Sequence, residues 1–237
     1  MFVDLLVVGG GAAGFFSAIT CAELSDKSVL VLEKTSQVLQ KVRISGGGRC
    51  NVTHACFEPR ELATFYPRGE KSLIGPFHRF GPTDTVEWFE SRGVALKTEA
   101  DGRMFPTSDD SQTIVDALLG AAKDAGVKIR SSEGVASITK SDAGFEVETD
   151  NGGSYTAAHV LLATGGTRST SGAKLAADLG HTLLPATPSL FTFKIDDPRL
   201  HDLAGLSVEN ADVKILDSKL ASSGPCLLYT SPSPRDS

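Results

Sequence analysis

Phe2-Val-Asp-Leu-Leu-Val-Val8 is an apolar run that leads directly into Gly9-Gly-Gly-Ala-Ala-Gly14. The run predicts a buried β-strand, and the glycines predict a tight turn into a helix. Gly9 permits the turn, Gly11 lets the backbone approach a pyrophosphate, and Gly14 lets the helix pack closely on the strand. The unpaired N–H groups at the start of that helix would face the phosphates. The stretch therefore predicts a nucleotide-binding strand–turn–helix unit.

The residues that follow support this interpretation. An alanine-rich helix is predicted from Ala12 to Leu24, and a second strand, Val29 to Leu32, ends on Glu33. An acidic residue about 20 positions after the glycines can accept hydrogen bonds from ribose hydroxyls. Such an acid also disfavours a ribose that carries a 2′-phosphate. A glycine turn without a ligand is the alternative, and the glycines alone do not distinguish FAD from NAD.

Composition limits the class of protein. The chain has 237 residues, with 23 Lys and Arg against 29 Asp and Glu, which gives a net charge of −6. Without a basic run, no nucleic acid is expected as a main partner. The N-terminus lacks the basic and long apolar segments of a signal peptide or membrane span, so a cytoplasmic protein without a membrane partner is expected. The four cysteines and five histidines show no disulfide framework and no metal-ligand spacing.

The remaining sequence predicts an α/β fold. Helical patterning covers Pro59 to Arg92, with Thr83 as the N-cap of its last helix, and another helix starts at Asp109 and Asp110. The pattern then predicts, in order, a strand Val127 to Arg130, an antiparallel meander from Val135 to Lys140 and from Phe145 to Thr149, and a strand Ala158 to Ala163. This order favours a parallel sheet with an inserted meander.

A second glycine cluster, Ser45-Gly-Gly-Gly-Arg-Cys-Asn51, follows soon after Glu33. The N–H groups of consecutive glycines can approach anionic oxygens, and Arg49 and Lys41 offer cationic donors for phosphate. Asn51 could hydrogen-bond the edge of a ring. A solvent-exposed loop is the alternative, but the nucleotide-binding unit upstream favours a ligand.

These motifs, together with Gly102 to Pro106 and Ala163 to Gly166, resemble the BaiN-like, aminoacetone-oxidase-type FAD-dependent oxidoreductases. The resemblance covers about residues 1 to 215. It implies a Rossmann-like FAD-binding domain of the glutathione-reductase type, with an inserted antiparallel β-meander, and the start of a second, mainly β domain. After Gly166 the sequence departs from many members, which have a longer loop there.

The resemblance implies where the cofactor binds. The glycine turn would hold the FAD pyrophosphate, Glu33 the adenosine ribose, the backbone of Val135 the adenine, and the second glycine cluster would follow the cofactor toward the flavin. The candidate cofactor-binding residues are Gly9, Gly11, Ala12, Ala13, Gly14, Glu33, Lys34, Lys41, Gly46, Gly47, Arg49, Cys50, Asn51, Val135, Ala163, Thr164 and Gly165. No residue is identified as catalytic, and no metal site is expected.

The expected organisation has three parts. Residues 1–190 would form an incomplete FAD-binding domain, with a helical insertion at about 57–110 and the meander at about 133–157. Residues 191–225 would begin the second, β-rich domain. Residues 226–237 resemble the translation of a sequencing adapter, so they are expected to be a non-native tail on a truncated protein.

The predicted function is that of an FAD-dependent oxidoreductase acting on a small organic substrate, with NADH or NADPH as a candidate second partner. The fragment itself is expected to be inactive. A tRNA-modifying flavoprotein and a non-catalytic FAD-binding module are the alternatives. Cys50 could be a redox partner of the flavin, as in disulfide reductases, but its spacing to Cys56 favours a neutral, packed thiol.

Overall fold

The computed structural model describes residues 1–66, 69–142, 144–166, 170–184, 197–200, 203 and 207–227. The chain divides into two compact units, Met1–Leu183 and Leu184–Ser237, which are described separately. Whether they correspond to the expected domains stays a prediction.

The first unit alternates strands and helices. Its strands are β1 (Phe2–Val8), β2 (Val29–Leu32), β3 (Thr53–His54), β4 (Leu96–Thr98), β5 (Arg103–Pro106), β6 (Lys128–Arg130), β7 (Val135–Ser141), β8 (Gly144–Thr149) and β9 (Ser154–Leu162). Its helices are α1 (Ala12–Glu23), α2 (Gln40–Ile44), α3 (Pro59–Thr64), α4 (Glu70–Arg79), α5 (Pro82–Glu90), α6 (Ser111–Asp124) and α7 (Thr170–Asp178), and a 3-10 turn covers Ser45–Gly48.

The main sheet has six strands in the order β6-β2-β1-β9-β8-β7. Strands β6, β2, β1 and β9 are parallel, and β9, β8 and β7 are antiparallel. The predicted α/β fold, a parallel sheet with an attached meander, is therefore confirmed. The helices α3 to α5 and a small sheet, β3-β5-β4, lie between α2 and α6 in the chain.

The core has two layers, one on each face of the sheet. On one face Val7 and Val31 pack with Phe15 of α1 and with the apolar stripe of α6, which includes Val115. On the other face Leu6 and Leu30 pack with residues of the meander and of α7. Successive strand residues point to opposite faces, which explains why β1 and β2 are almost continuously apolar.

Two local predictions need correction. Helix α5 begins at Pro82 with Gly81 as its N-cap, so Thr83 is not the cap. The Gly81 N–H donates to Oδ2 of Asp84 at 2.7 Å, and proline suits the first helical position because its missing N–H is not needed there. Strand β9 starts at Ser154 rather than at Ala158, because its first residues pair with β8 before its later residues pair with β1.

A buried polar group lies beside the turn between β8 and β9, the second turn of the meander. Tyr155 donates its hydroxyl proton to Oε1 of Glu133 at 2.5 Å and accepts a hydrogen bond from Nη1 of Arg130 at 2.9 Å. Glu133 is only 7% exposed. Burial, followed by the hydrogen bond to Glu133, raises the pKa of Tyr155.

Tyr155→Phe is expected to lower the free energy of unfolding by about 1–3 kcal/mol, because it removes a hydrogen-bond donor from a buried carboxylate. Urea denaturation measures the change. Tyr66→Phe is a matched control, since Tyr66 is exposed. An equal midpoint for Tyr155→Phe and the wild type would contradict this role of the hydroxyl.

The described part of the second unit contains a short 3-10 helix, Pro198–Leu200, and an antiparallel pair of strands, β10 (Ser207–Lys214) and β11 (Ala221–Leu227). Cys226 and Leu227, which were assigned to the non-native tail, are the last residues of β11, and residues 228–237 lie outside the described residues. Residues 191–196, 201–202 and 204–206 of the expected β-rich domain also lie outside them. No helix in the described ranges is both long and apolar enough to cross a bilayer.

Candidate functional site

The candidate site lies at the carboxyl edge of the parallel strands, where β1, β2 and β9 end side by side. The Gly9 N–H donates to the Leu32 carbonyl at 2.8 Å, and the Ala163 N–H donates to the Val8 carbonyl at 2.8 Å. Strand β1 has β2 on one side and β9 on the other, so the chain changes direction across the sheet at this point. Ligands of open α/β sheets bind at such a switch point.

The glycines of the first motif have different structural roles. Gly9 has φ +113°, and a Cβ there would overlap the carbonyl of Ala163, while a Cβ on Gly14 would overlap the carbonyl oxygen of Gly9. A Cβ on Gly11 would meet no atom within 4 Å. Gly9 and Gly14 are therefore required by packing, whereas Gly11 leaves open space above the backbone.

That open space lies at the N-terminus of α1. Gly11 is the N-cap, and no side chain caps the helix. Ala12 and Ala13 are exposed, and the first N–H groups of a helix have no partner within it. The arrangement fits a pyrophosphate, because these donors and the helix dipole both favour an anion.

Glu33 lies at the same edge and is held from two sides. Its Oε2 accepts from the Gly10 N–H at 2.7 Å, and its Oε1 accepts from the N–H and the hydroxyl of Thr35 at 2.8 Å each. Oε2, which accepts only one hydrogen bond, keeps a lone pair for a further donor. Gly10 and Thr35 were not singled out from the sequence, although a Thr two residues after a carboxylate is a recognisable local hydrogen-bond pattern.

Val135 is connected to this edge through the backbone. The Glu133 N–H donates to the Glu33 carbonyl at 2.9 Å, two residues before Val135. A Cβ on Gly134 would be 3.2 Å from Cγ of Lys34. The two residues before Val135 thus contact Glu33 and Lys34.

At the other end of the edge, Thr164 packs against α7. A Cβ on Gly172 would overlap the Thr164 side chain. Gly165 has φ +79° and is exposed. The segment that follows β9 directly, Ala163 to Gly165, lies beside the Gly9 turn.

The second glycine cluster has an unusual backbone. Gly46, Gly47 and Gly48 have φ values of 57°, 68° and 86°, and Cys50 has φ 61°. Left-handed backbone is unstrained for glycine but costs energy for cysteine. Asn51 is exposed, and its amide nitrogen can donate to the carbonyls of Thr53 at 2.9 Å and Met104 at 3.2 Å.

The two cationic candidates of this loop differ in their surroundings. Lys41 is exposed on α2. Arg49 instead binds protein carboxylates: its Nη1 lies 2.5 Å from Oε1 of Glu99 and 3.5 Å from Oδ1 of Asp109. Its guanidinium also lies 4.0 Å from the ring centroid of Phe105. Glu99 and Phe105 were not predicted to belong to the site.

Cys50 is buried in the core that also contains Phe15. Burial is the main cause that raises the pKa of both the Cys50 and the Cys56 thiols. A raised pKa means less thiolate at neutral pH, and thiolate is the reactive form. Cys21, Cys50 and Cys56 are free thiols.

We expect Cys50 to be alkylated more slowly than the half-buried Cys21 by iodoacetamide at neutral pH, with a rate that increases as the pH rises. Peptide-resolved mass spectrometry measures both rates in one sample. Faster alkylation of Cys50 than of Cys21 would contradict the neutral, packed thiol.

A cavity of about 370 Å³ adjoins the end of the glycine loop. It is lined by Asn51, Val52, Thr53, His54, Leu62, Tyr66, Phe77, Phe80, Gly81, Pro82 and Thr85. Aromatic rings and a few hydroxyl and amide groups suit an uncharged ring that forms some hydrogen bonds. Groups of His, Cys, Asp and Glu that could hold a metal ion do not occur among the residues that the structure describes.

The fold and this edge define a Rossmann-type, dinucleotide-binding domain of the kind found in FAD-dependent oxidoreductases. The family described as "HI0933-like protein Rossmann domain" matches residues 3–223. The chain belongs to this family, and the resemblance to the BaiN-like flavoproteins is confirmed.

The curated proteins that are similar in sequence include a bile acid reductase and an rRNA-modifying enzyme. The 3-dehydro-bile acid delta(4,6)-reductase of Clostridium scindens is 30% identical over 88% of this chain and 51% of that protein. The ribosomal RNA dihydrouridine synthase of Escherichia coli is 30% identical over 96% of this chain and 60% of that protein. The chain thus spans about half to three fifths of the length of these relatives.

One solved structure also shows the same fold. The 3-ketosteroid-delta4-(5alpha)-dehydrogenase of Rhodococcus jostii aligns with 67% of this chain and 45% of its own, at a TM-score of 0.52 and 17% identity.

Proposed function

We propose that this chain is the FAD-binding part of an oxidoreductase that saturates a ring C=C bond conjugated to a carbonyl. The observation that carries the proposal is the bare N-terminus of α1 beside Glu33 and Ala163, at one edge of the sheet. A pyrophosphate needs hydrogen-bond donors, which the helix N-terminus provides, and the adjoining ribose needs an acceptor, which Glu33 provides.

The residues then have separate tasks. The backbone from Gly9 to Gly14, with the N–H groups of Ala12 and Ala13, binds the pyrophosphate. Glu33 accepts from the ribose hydroxyls, with Lys34 and Val135 beside the adenine. The loop at Gly46, Gly47 and Asn51, together with Ala163, Thr164 and Gly165, borders the flavin end.

The names of the two relatives support a substrate with a ring C=C bond conjugated to a carbonyl. Reduction of a 3-dehydro bile acid at a delta-4 bond and formation of dihydrouridine both saturate a C=C bond that is conjugated to a ring carbonyl. FAD, when bound, supplies a nitrogen that can pass a hydride between two organic partners. In the proposed reaction NADH or NADPH provides the hydride, the ring carbon distant from the carbonyl receives it, and a proton adds to the neighbouring carbon.

The partner is proposed to be a small molecule that binds in the cavity beside Asn51. An RNA substrate is the second candidate, because one relative is an rRNA-modifying enzyme. The net charge of −6 favours the small molecule. A cytoplasmic location is also proposed, from cysteines without a disulfide framework.

The test uses the purified 237-residue chain and adds FAD first. We expect a protein-bound visible flavin spectrum and quenched flavin fluorescence. Because the 237-residue fragment itself is expected to be inactive, oxidation of NADPH or NADH with a 3-oxo-4-ene steroid and with unmodified rRNA is followed with a version of the protein that has the full length of the relatives. A chain that takes up no FAD contradicts the proposed cofactor, and turnover with rRNA alone would favour the second candidate.

A further inference from the structure

Arg49 is the residue of the glycine loop whose surroundings differ most from the sequence prediction. It belongs to a cluster of charged and aromatic side chains, hereafter the Arg49 cluster, formed by Arg49, Glu99, Phe105 and Asp109. Lys97 also binds Asp109, and Arg103 lies 3.6 Å from Glu99. The Arg49 guanidinium is therefore already paired with the carboxylates of Glu99 and Asp109 and stacked on Phe105. Its charge is compensated without a phosphate.

Phe105 connects this cluster to the loop backbone. Its ring is fully buried, and the Arg49 guanidinium covers one face at 4.0 Å from the centroid. A Cβ on Gly46 would be 2.8 Å from Cε1 of the same ring. The start of the glycine run therefore rests on the edge of Phe105 while the side chain at its end covers the face.

The backbone between these two contacts needs such support. Gly46, Gly47 and Gly48 are left-handed, and so is Cys50, for which this conformation is unfavourable. Glycine gives a chain many alternative conformations, so a defined run of three glycines must be held by its neighbours. The Arg49 cluster contacts the run at both ends.

We propose that Arg49 is a positioning residue for the flavin end of the cofactor: it fixes the backbone of the loop from Gly46 to Asn51 and does not contact phosphate. The inference rests on the proposed function, since it assumes that this loop borders the flavin. It assigns the phosphates to the N-terminus of α1 rather than to Arg49.

ADP and FAD separate the two roles of Arg49. ADP has the adenosine and pyrophosphate but lacks the flavin, so it needs only the Gly9–Gly14 turn and Glu33. Arg49→Ala is expected to leave the Kd for ADP within about twofold and to raise the Kd for FAD about tenfold, through lost pre-organisation. Arg49→Lys should act in the same direction, because an ammonium cannot stack on the Phe105 ring as a planar guanidinium does.

The chain offers a matched control. Arg92 pairs with Glu23 at 2.6 Å and lies 4.0 Å from the ring centroid of Trp88, so it has the same kind of contacts away from the loop. Arg92→Ala should change neither Kd. Amide hydrogen exchange of a peptide that contains residues 45–51 provides a readout without any ligand, and faster exchange is expected for the two Arg49 variants only.

Titration calorimetry with the 237-residue chain decides between the roles. Equal loss of ADP and FAD affinity in Arg49→Ala, with recovery in Arg49→Lys, would assign the guanidinium to phosphate and overturn the proposal. Unchanged FAD affinity and unchanged exchange would overturn it as well. If the wild type binds ADP but not FAD, the proposed cofactor is wrong, while hydrogen exchange still tests whether Arg49 fixes the loop. If Arg49→Ala does not fold, Arg49→Lys supplies the same comparisons.

Discussion

Replacing Gly14 with alanine is expected to destabilise the protein by about 3 kcal/mol and to remove most ADP binding. The new Cβ would overlap the carbonyl oxygen of Gly9 and would lie 3.3 Å from Cγ1 of Val7. Neither neighbour can move freely, because the Gly9 N–H is bonded to the Leu32 carbonyl and Val7 is fully buried. Helix α1 would have to move away from β1, and its N-terminus would leave the phosphate position. Urea denaturation and titration calorimetry with ADP measure the two effects.

Two other glycines serve as controls for this substitution. Gly11→Ala meets no atom within 4 Å, so it should keep the unfolding midpoint and weaken only ADP binding, by occupying the space above the helix N-terminus. Gly120→Ala, in α6, also meets open space and should stabilise the protein by about 0.5–1 kcal/mol. If Gly14→Ala unfolds at the wild-type midpoint and binds ADP normally, the close approach of α1 to β1 is not required.

Glu33→Ala is expected to raise the Kd for ADP about 10- to 100-fold, since each hydrogen bond from a ribose hydroxyl to a charged acceptor contributes about 1.5–3 kcal/mol. It also leaves the N–H groups of Gly10 and Thr35 without their carboxylate acceptor. Stability should therefore fall too, by about 1–3 kcal/mol. Calorimetry with ADP gives the affinity, and urea denaturation gives the stability.

Glu33→Gln and a second ligand make this test specific. The glutamine keeps the size of the side chain, but its NH2 group cannot accept from the Gly10 N–H, so it should lose affinity as well. ADP with a 2′-phosphate should bind the wild type poorly and should lose this disadvantage in both variants. Glu148→Ala, at an exposed position on β8, is the control. Equal affinity of the wild type for ADP and its 2′-phosphate would show that Glu33 does not face the ribose.

The sequence predicted the strand–turn–helix unit and the second strand well because their determinants are local. An apolar strand, a glycine turn and a second strand that ends in an acid lie within the first 33 residues, and each is set by neighbours in the chain. The cap of α5 was wrong by two residues because the proline at position 82 was not given its preference for a helix start. The start of β9 was wrong because pairing with β8 extends the strand into polar residues.

The surroundings of Arg49 could not be predicted in the same way. Its partners Glu99 and Asp109 are 50 and 60 residues away in the sequence. No periodicity connects positions so far apart, and an arginine beside glycines is also what a phosphate site requires. Only the fold shows that the small sheet of β3, β4 and β5 brings two acids and Phe105 to this side chain.

The pairing of β1 with β9 has a consequence for the order of events during synthesis. Residues 2–8 leave the ribosome early, but their parallel partner is formed by residues 156–162. Until that partner has emerged, Gly9 lacks its contact with the Ala163 carbonyl. One edge of β1 then has no hydrogen-bonded neighbouring strand. A nascent chain that stops before Ala163 therefore has every glycine of the first motif but lacks one strand of the proposed nucleotide site, so we expect cofactor binding only after translation of β9.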